Sequence, residues 1–415
     1  MGEMVEQLTL WGEMYDFYKI KQPIVLCEFF AGIGSQRKGI ELCGIKIDNN
    51  LSRIVEWAAP SIIAYNAIHH KDKTNYGEKL SKEELIQKVI GISTDYNQPL
   101  TNEQLNKKPI EWLRNIYNHI IATKDLINVM NVKGRDLDVG NTNTQTSIWT
   151  YSFPCQDISL AGVGKSLEKG SGTRSGLLWE IERILAERER ERLPLPNILI
   201  MENVDALINQ KHLPHFKLWQ ERLDQFGYSS YVKVINAKNM GIPQNRKRVF
   251  MISIKGQYAY DFPRKIKLEY KLKDLLEKQV DEKYYLDDET ISRITQWKSQ
   301  QQPLDNAIDI ERERERVSPT LTARGAGEEH SGMVLIKTDN FPNKLEKKER
   351  KKGIPIKNAT KQGYLEAENG DGIDISTRME THRGTVQKET CQTLTCQGGE
   401  NVGVVVDEQK TNETS

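Results

Sequence analysis

Short apolar runs alternate with amphipathic helical patterns along the first 260 residues, and this alternation constrains the fold more than any other feature. The first run, Pro23-Ile24-Val25-Leu26-Cys27-Glu28-Phe29-Phe30, is apolar almost throughout and predicts a strand buried on both faces. Further strands are predicted at 52–57, 147–153, 198–201, 229–236 and 248–254, and helices at 36–43, 176–185 and 213–226. Strands that alternate with helices are typical of a mostly parallel, doubly wound α/β sheet.

The character of the sequence changes near Phe262, where it becomes polar and rich in charge, and this change indicates a domain boundary. The predicted segments are an N-terminal lead-in at 1–22, an α/β domain at 23–260 with an insertion at about 67–123, a smaller irregular domain at 261–406 and a polar tail at 407–415. A weak internal repeat in the second domain joins 318–334 to 391–405, each with Thr-Leu-Thr, glycines and an apolar run. It predicts two similar strand–turn–strand units.

Composition and charge exclude several classes of protein. The chain is 37% hydrophobic and 28% charged, with a net charge of +1, so nucleic-acid binding would need a local basic patch. Its five cysteines have the spacing of neither a disulfide framework nor a zinc site, which predicts a reducing cytoplasm and no metal. No apolar run is long enough to span a membrane, and the N-terminus lacks the basic region of a signal peptide. The alternating Glu-Arg run at 187–192 predicts a solvated helix face.

The first predicted strand ends in the glycine-containing turn Phe30-Ala31-Gly32-Ile33-Gly34. Glycines at such a place let the backbone approach a ligand closely, and the next helix begins with free N–H groups. Glu56 ends the next strand about twenty residues further on, where a carboxylate would accept both hydroxyls of a ribose. Trp57 beside it would either stack on an adenine or belong to the core. The turn alone is compatible with a nucleotide-type cofactor or with an ordinary strand-to-helix connection.

Three further segments carry reactive side chains at predicted strand ends. Cys155, in Phe153-Pro154-Cys155-Gln156, comes at the carboxyl edge of the sheet, where open α/β folds bind ligands. Glu202 ends another strand before Asn203-Val204, and in an apolar pocket it would serve as a proton donor. Arginines open a later strand in Gln244-Asn245-Arg246-Lys247-Arg248. The structural alternatives are an inert buried thiol, a helix-capping glutamate and surface arginines.

In this order the segments resemble the motifs of the cytosine-5 DNA methyltransferase family, over about residues 23–258. The similar motifs are Phe30-Ala31-Gly32-Ile33-Gly34, Phe153-Pro154-Cys155-Gln156, Glu202-Asn203-Val204 and Gln244-Asn245-Arg246-Lys247-Arg248. The sequence around Cys155 is most similar to that of bacterial and phage members of the family. The resemblance implies the Rossmann-like fold of S-adenosylmethionine-dependent methyltransferases, with 23–260 as the cofactor-binding and catalytic domain and 261–406 as the target-recognition domain.

The resemblance also implies roles for single residues. Cys155 would attack carbon 6 of a cytosine flipped out of double-stranded DNA, and Glu202 would hydrogen-bond its N3 and amino group. Arg248 would bind O2, with Arg246 supporting the loop. The implied contacts to S-adenosylmethionine are Phe30, Ala31, Gly32, Ile33, Gly34, Glu56, Trp57, Asp125, Leu126, Pro154 and Leu177. Asp125 would accept from the adenine amino group, with Asp136 and Asp138 as nearby alternatives.

The sequence departs from the family at its end. Segments resembling R-K-L-T-P-R-E and G-N-S, which follow the recognition domain in other members, are not found. We therefore expect either a truncated reading frame or a second polypeptide that completes the enzyme. In both cases this chain alone would have little activity. The rival expectation is that residues 393–406 take the place of the missing segments. Two other functions stay open: RNA cytosine-5 methylation, disfavoured by the large region after Phe262, and an inactive DNA-binding subunit.

Overall fold

The computed structural model describes ten stretches of the chain, and its contacts form two compact units. The described residues are 15–96, 98–154, 175–269, 274, 333–337, 354–357, 364–368, 371–374, 386–387 and 402–406. Unit 1 contains Met1–Val234 and Arg248–Phe262, and unit 2 contains Ile235–Lys247 and Pro263–Ser415. The division after Phe262 lies two residues from the boundary that the sequence suggests, but 235–247 also falls in the second unit.

A six-stranded sheet forms the centre of unit 1. Its strands are β1 (Val25–Phe29), β2 (Arg53–Val55), β3 (Ser147–Tyr151), β4 (Ile198–Val204), β5 (Tyr228–Asn236) and β6 (Lys247–Lys255), in the order β2-β1-β3-β4-β6-β5. The pairs β1–β2, β1–β3 and β3–β4 are parallel, and β6 runs antiparallel to β4. The predicted mostly parallel α/β sheet is confirmed.

Helices cover this sheet and fill the insertion. They are α1 (Ser35–Leu42), α2 (Ala59–Tyr65), a π-helix (Asn66–His70), α3 (Lys82–Lys88), α4 (Asn102–Asn106), α5 (Ile110–Thr123), α6 (Leu178–Arg190) and α7 (Leu213–Gln225). No helix in the described stretches is long and apolar enough to cross a membrane.

Both faces of β1 are buried because neighbouring side chains join different apolar clusters. Cys27 and Phe29 pack in the cluster that includes Trp149 and the inner faces of α6 and α7. Ile24 and Leu26 pack on the other side of the sheet. Residues of a strand alternate between its two faces, so a strand with both faces covered has a continuous apolar sequence.

The insertion predicted at about 67–123 is helical and has a core of its own. That core joins the buried residues Leu85, Ile86, Val89, Ile92, Leu105, Leu113, Ile116 and Ile120 to Ala59 and Ile62 of α2. Ser93 ties it to the end of β2: its N–H donates to the Trp57 carbonyl at 2.7 Å and its carbonyl accepts from Ala59 at 2.9 Å. The insertion therefore packs directly behind the residues that follow Glu56.

The prediction of a solvated face at 187–192 is wrong for the first part of the run. Arg188 is only 3% exposed. Its guanidinium donates to the carbonyls of Gly134 at 2.6 Å, Leu137 at 2.5 Å and Pro194 at 2.8 Å. An arginine can be buried when carbonyls satisfy its donors, and this one holds the 134–137 segment against α6.

Unit 2 contains a four-stranded sheet and a separate strand pair among its described residues. The strands are β7 (Met333–Lys337), β8 (Ile354–Lys357), β9 (Tyr364–Ala367), β10 (Gly372–Asp374), β11 (Val386–Gln387) and β12 (Val402–Val406), with the sheet order β11-β10-β12-β7 and β8 paired with β9. Strands β7 and β12 come from the two copies of the internal repeat, and they lie side by side in parallel with Val402 opposite Met333. The Thr-Leu-Thr segments of the repeat lie outside the described residues.

Candidate active site

The turn after β1 has an unusual backbone. Phe30 (φ 56°), Gly32 (φ 54°) and Gly34 (φ 80°) all adopt the left-handed region, which disfavours residues with a Cβ. The Phe30 N–H donates to the Val55 carbonyl at 2.8 Å, so the turn is held to the end of β2. A Cβ on Gly32 would have no atom within 4 Å, whereas a Cβ on Gly34 would lie 2.6 Å from the Tyr65 ring. The two glycines therefore serve different needs: open space at Gly32 and close packing at Gly34.

Glu56 connects this turn to the end of β2. It is 8% exposed. One carboxylate oxygen accepts from the Gly32 N–H at 2.8 Å, and the other accepts from the Ala58 N–H at 2.8 Å. Burial raises the pKa of Glu56, while these backbone hydrogen bonds act in the opposite direction. Trp57 beside it is half-buried.

Asp125 extends the same chain of contacts. Its Oδ1 accepts from the backbone N–H groups of Glu56 at 3.0 Å and Ile127 at 2.8 Å. Its Oδ2 is buried and has no hydrogen-bond partner. Burial raises the pKa of Asp125 well above its usual range. The unsatisfied Oδ2 marks a place where a donor is missing, since buried acceptors are nearly always satisfied.

The alternatives to Asp125 have a different environment. Asp136 and Asp138 are exposed. Each accepts a 2.7 Å hydrogen bond inside its own loop, from the N–H groups of Lys133 and Gly140. Of the three aspartates, the structure links Asp125 to Glu56.

Several apolar residues from the predicted set lie near these carboxylates. Phe30, Leu126 and Leu177 are partly buried and pack against the same apolar cluster. The Leu126 N–H donates to the Ile54 carbonyl at 2.9 Å, which fixes Leu126 beside β2. Ile33 is 51% exposed and contributes little to packing of the turn.

Glu202 and Arg248 lie on the neighbouring strands β4 and β6. Glu202 Oε1 and Arg248 Nε form an ion pair at 3.0 Å, with 21% and 14% of the two side chains exposed. The structure therefore brings together the predicted glutamate and one of the predicted arginines. Arg246 belongs to unit 2, where its carbonyl accepts from the Ala237 N–H at 3.0 Å.

Asn203 is a residue whose role the sequence analysis missed. It is 2% exposed, and its Nδ2 donates to the Phe153 carbonyl at 3.0 Å, joining the end of β4 to the segment after β3. Pro154 is partly buried at the end of that segment, and Cys155 lies outside the described residues. The sequence around Asn203 carries no signal for this contact, because the partner lies 50 positions away in the chain.

Comparisons with known proteins show which family the chain belongs to. The family model for C-5 cytosine-specific DNA methylase matches residues 91–397. The chain belongs to this family. It is 36% identical over 312 residues to the orphan methyltransferase M.SssI of Spiroplasma monobiae. The aligned region covers 72% of this chain and 79% of that relative. It is 34% identical over 268 residues to the type II methyltransferase M2.ScrFI of Lactococcus lactis subsp. cremoris, covering 64% and 71%. A solved methyltransferase of Entamoeba histolytica aligns at a TM-score of 0.41 with 16% identity, over 66% of this chain and 68% of that one.

Family membership confirms the reaction class predicted from the motifs, methylation of DNA cytosine at carbon 5. The roles of single residues and the identity of the cofactor stay predictions. The comparisons give no support to a second polypeptide, which also stays a prediction. Among the described residues, no cluster of three or more His, Cys, Asp or Glu side chains could hold a metal ion.

Proposed function

We propose that this DNA methyltransferase moves a methyl group from S-adenosylmethionine to carbon 5 of a cytosine flipped out of double-stranded DNA, through a covalent adduct with Cys155. The hydrogen-bonded series Gly32–Glu56–Asp125, ending in the unsatisfied Oδ2 of Asp125, is the observation that carries the proposal. It supplies acceptors for a nucleoside at the carboxyl end of parallel strands, where α/β sheets bind such ligands.

The residues at this edge fit the cofactor. An adenine amino group is a hydrogen-bond donor, and Asp125 Oδ2 is a buried acceptor to which no group of the described residues donates. Leaving a buried acceptor unsatisfied costs about 1–3 kcal/mol, so a ligand that supplies a donor is favoured by a similar amount. Glu56 would accept from the ribose hydroxyls, while Phe30 and Trp57 would lie against the adenine ring. When bound, S-adenosylmethionine supplies a methyl group on a positively charged sulfur.

Cytosine needs activation because carbon 5 of its aromatic ring is a poor nucleophile. The Cys155 thiolate would add to carbon 6, forming a carbon–sulfur bond and making carbon 5 electron-rich like an enamine. Carbon 5 would then accept the methyl group that the bound cofactor supplies, and the cofactor would keep the electrons of the broken sulfur–carbon bond. A base removes the carbon 5 proton, and the electrons of that bond re-form the double bond as the Cys155 thiolate departs.

Glu202 and Arg248 would stabilise the ring while Cys155 adds. Glu202 would hydrogen-bond N3 and the exocyclic amino group, and Arg248 would hold O2, offsetting the charge that develops on the ring. Their ion pair at 3.0 Å joins the two side chains across adjacent strands while no base is bound. The target carbon is inaccessible inside the stacked duplex, so the base must be flipped out. Unit 2 would carry the target-recognition function.

The test is transfer of tritium-labelled methyl from S-adenosylmethionine by residues 1–415, with double-stranded DNA and tRNA as separate substrates. We expect label in 5-methylcytosine of DNA, at a low rate for this chain alone, and none in tRNA, and we expect the Cys155→Ser protein to transfer none. Label in tRNA alone would establish the RNA alternative, and equal transfer by the Cys155→Ser protein would exclude the covalent route. Robust DNA methylation by this chain alone would contradict the predicted second polypeptide.

A further inference from the structure

A buried carboxylate that none of the assigned roles uses lies directly before the glycine turn. Glu28 of β1 is 1% exposed. Its Oε1 accepts from the backbone N–H of Arg37, in the first turns of α1, at 3.0 Å. Its Oε2 accepts from the Tyr65 hydroxyl through a short hydrogen bond. A buried carboxylate is costly unless donors surround it, so this position needs an explanation beyond packing.

Tyr65 connects Glu28 to the turn itself. It ends α2 and is fully buried. Besides donating to Glu28, its ring lies so close to Gly34 that a Cβ there would approach Cε2 to 2.6 Å. One side chain therefore contacts both the strand before the turn and the residue that ends it.

His69 reaches the turn from the π-helix that follows α2. Its Nε2 lies 3.1 Å from the Ile33 carbonyl, and because a carbonyl only accepts, Nε2 carries the proton. Burial lowers the pKa of His69, and both the neutral Nε2–H tautomer and the protonated ring can donate to this carbonyl. The ring centroids of Tyr65 and His69 are 4.6 Å apart, so the two side chains support each other.

We propose that Glu28, Tyr65 and His69, here called the turn clamp, are positioning residues for the cofactor: they hold the turn 30–34 in the shape that directs the Gly32 N–H to Glu56 and leaves space beside Gly32. The proposal rests on the cofactor site proposed above. Its physical reason is strain, since Phe30 is left-handed without being glycine. Such a conformation costs about 1–3 kcal/mol and persists only where surrounding contacts enforce it.

The first test compares two Tyr→Phe variants by calorimetry of S-adenosylmethionine binding. Tyr228→Phe is the matched control, because its buried hydroxyl also donates one hydrogen bond, to the Pro196 carbonyl at 2.7 Å, on the distant strand β5. We expect Tyr65→Phe to raise the cofactor Kd roughly threefold to tenfold, about 0.7–1.4 kcal/mol. Tyr228→Phe should lower thermal stability and leave Kd unchanged. Equal Kd values for Tyr65→Phe and the parent would overturn the proposal.

A second pair keeps the proposal testable if Tyr65→Phe does not fold. His69→Ala removes the donor to Ile33, whereas His69→Gln can place an amide N–H near the position of Nε2. We expect His69→Ala to weaken cofactor binding and His69→Gln to restore most of it. A purely structural role predicts that both variants change the melting temperature and neither changes Kd.

Glu28 adds a pH signature. Burial raises the pKa of Glu28 to about 7, and the other titratable or charged groups around it are Arg37 and Glu41 of α1, Cys27, Tyr65, Arg53 and His70. A proton on Oε2 displaces the hydrogen that Tyr65 donates, so lowering the pH from 8 to 6 should weaken cofactor binding by the parent more than by Glu28→Gln. Titration of the cofactor itself affects both proteins equally, so it cancels in the ratio of the parent Kd to the Glu28→Gln Kd at each pH. A ratio that is constant with pH would exclude Glu28 from the clamp.

The Glu56→Ala variant separates failure of the clamp from failure of the site. If the parent binds the cofactor, Glu56→Ala binds weakly and the clamp variants bind as the parent does, the clamp is wrong and the site stands. If the parent shows no binding, or Glu56→Ala equals the parent, the cofactor site is wrong and the clamp falls with it.

Discussion

The proposed site in unit 1 has a cofactor end at β1 and β2 and a base end at β4 and β6, and these two ends hold their carboxylates in different ways. At β1 and β2, Glu56 and Asp125 are 8% and 7% exposed and accept hydrogen bonds from backbone N–H groups. At β4 and β6, the Glu202 side chain is 21% exposed and its carboxylate pairs with the Arg248 side chain. Backbone donors are fixed by the fold, whereas a side-chain partner can move.

This difference matches what each end must do. A cofactor enters a site whose acceptors are already aligned, so little ordering remains to oppose binding. Under the proposed roles, a flipped cytosine would arrive with its own donors and acceptors, and Arg248 would then exchange its contact with Glu202 for one with O2 of the base. We infer that the cofactor end is preorganised and that the base end completes itself on substrate binding.

Removal of the nucleophile should give the largest effect and should separate the two ends completely. Cys155→Ser is expected to abolish methyl transfer, because a serine hydroxyl is a far weaker nucleophile toward carbon 6 than a thiolate. S-adenosylmethionine affinity should equal that of the parent, since the proposal assigns Cys155 to the base and serine has nearly the same size. Cys43→Ser is the control, as Cys43 is an exposed free thiol. Measurable turnover by Cys155→Ser in the radiolabel assay would contradict the assignment.

Glu202→Gln should produce the next largest effect. An amide keeps the shape but loses the charge and the proton-donating form, and we expect kcat to fall roughly 10²- to 10³-fold, as when one transition-state donor is lost. Glu182→Gln is the matched control, since Glu182 also pairs with an arginine, Arg222, at 2.8 Å. A raised cofactor Kd with unchanged kcat for Glu202→Gln would show that the two ends are not separate.

The sequence was sufficient for the sheet, while the roles of the residues at its carboxyl edge stay predictions. Continuous apolar runs mark strands covered on both faces, and the motifs place Glu56 and Glu202 at strand ends without any knowledge of tertiary contacts. The structure confirms strands at all six predicted places, with bounds that differ by a few residues.

Contacts between distant segments could not be predicted in the same way. Arg188 is part of an alternating charge run, and only its packing against the 134–137 carbonyls shows that it is buried. Asn203 and Tyr65 likewise gain their meaning from partners about 50 and 37 positions away, Phe153 and Glu28. A pattern within a short window of sequence predicts which side of a helix or strand is buried. It does not predict which distant residue packs against that side.

Glu56→Ala tests whether the cofactor end depends on carboxylates held by the backbone. It removes the proposed acceptor for the ribose hydroxyls and for the Gly32 N–H. We therefore expect the Kd for S-adenosylmethionine to rise about 10- to 150-fold, a loss of roughly 1.5–3 kcal/mol of binding free energy. Calorimetry measures the change, with Glu103→Ala as the control because that side chain is 79% exposed in an isolated ion pair. Equal affinities of the Glu56→Ala protein and the parent would remove Glu56 from the site.

Asp125→Asn is expected to have the smallest effect on cofactor binding. It tests the role of a single atom, Asp125 Oδ2. Asparagine can keep its oxygen at the position of Oδ1, where it accepts from Glu56 and Ile127. Its NH2 group then replaces Oδ2, the buried acceptor without a partner, and would meet the adenine amino group as donor against donor. We expect the cofactor Kd to rise roughly fivefold to thirtyfold, which is about 1–2 kcal/mol. Thermal stability should not fall, because the isosteric amide leaves no buried charge to desolvate and keeps both backbone contacts. Asp136→Asn makes the same chemical change on an exposed loop and should leave Kd unaltered. If the effects of the two variants were reversed, the adenine-binding acid would be Asp136, and the comparison between the two ends would lose its deepest buried carboxylate.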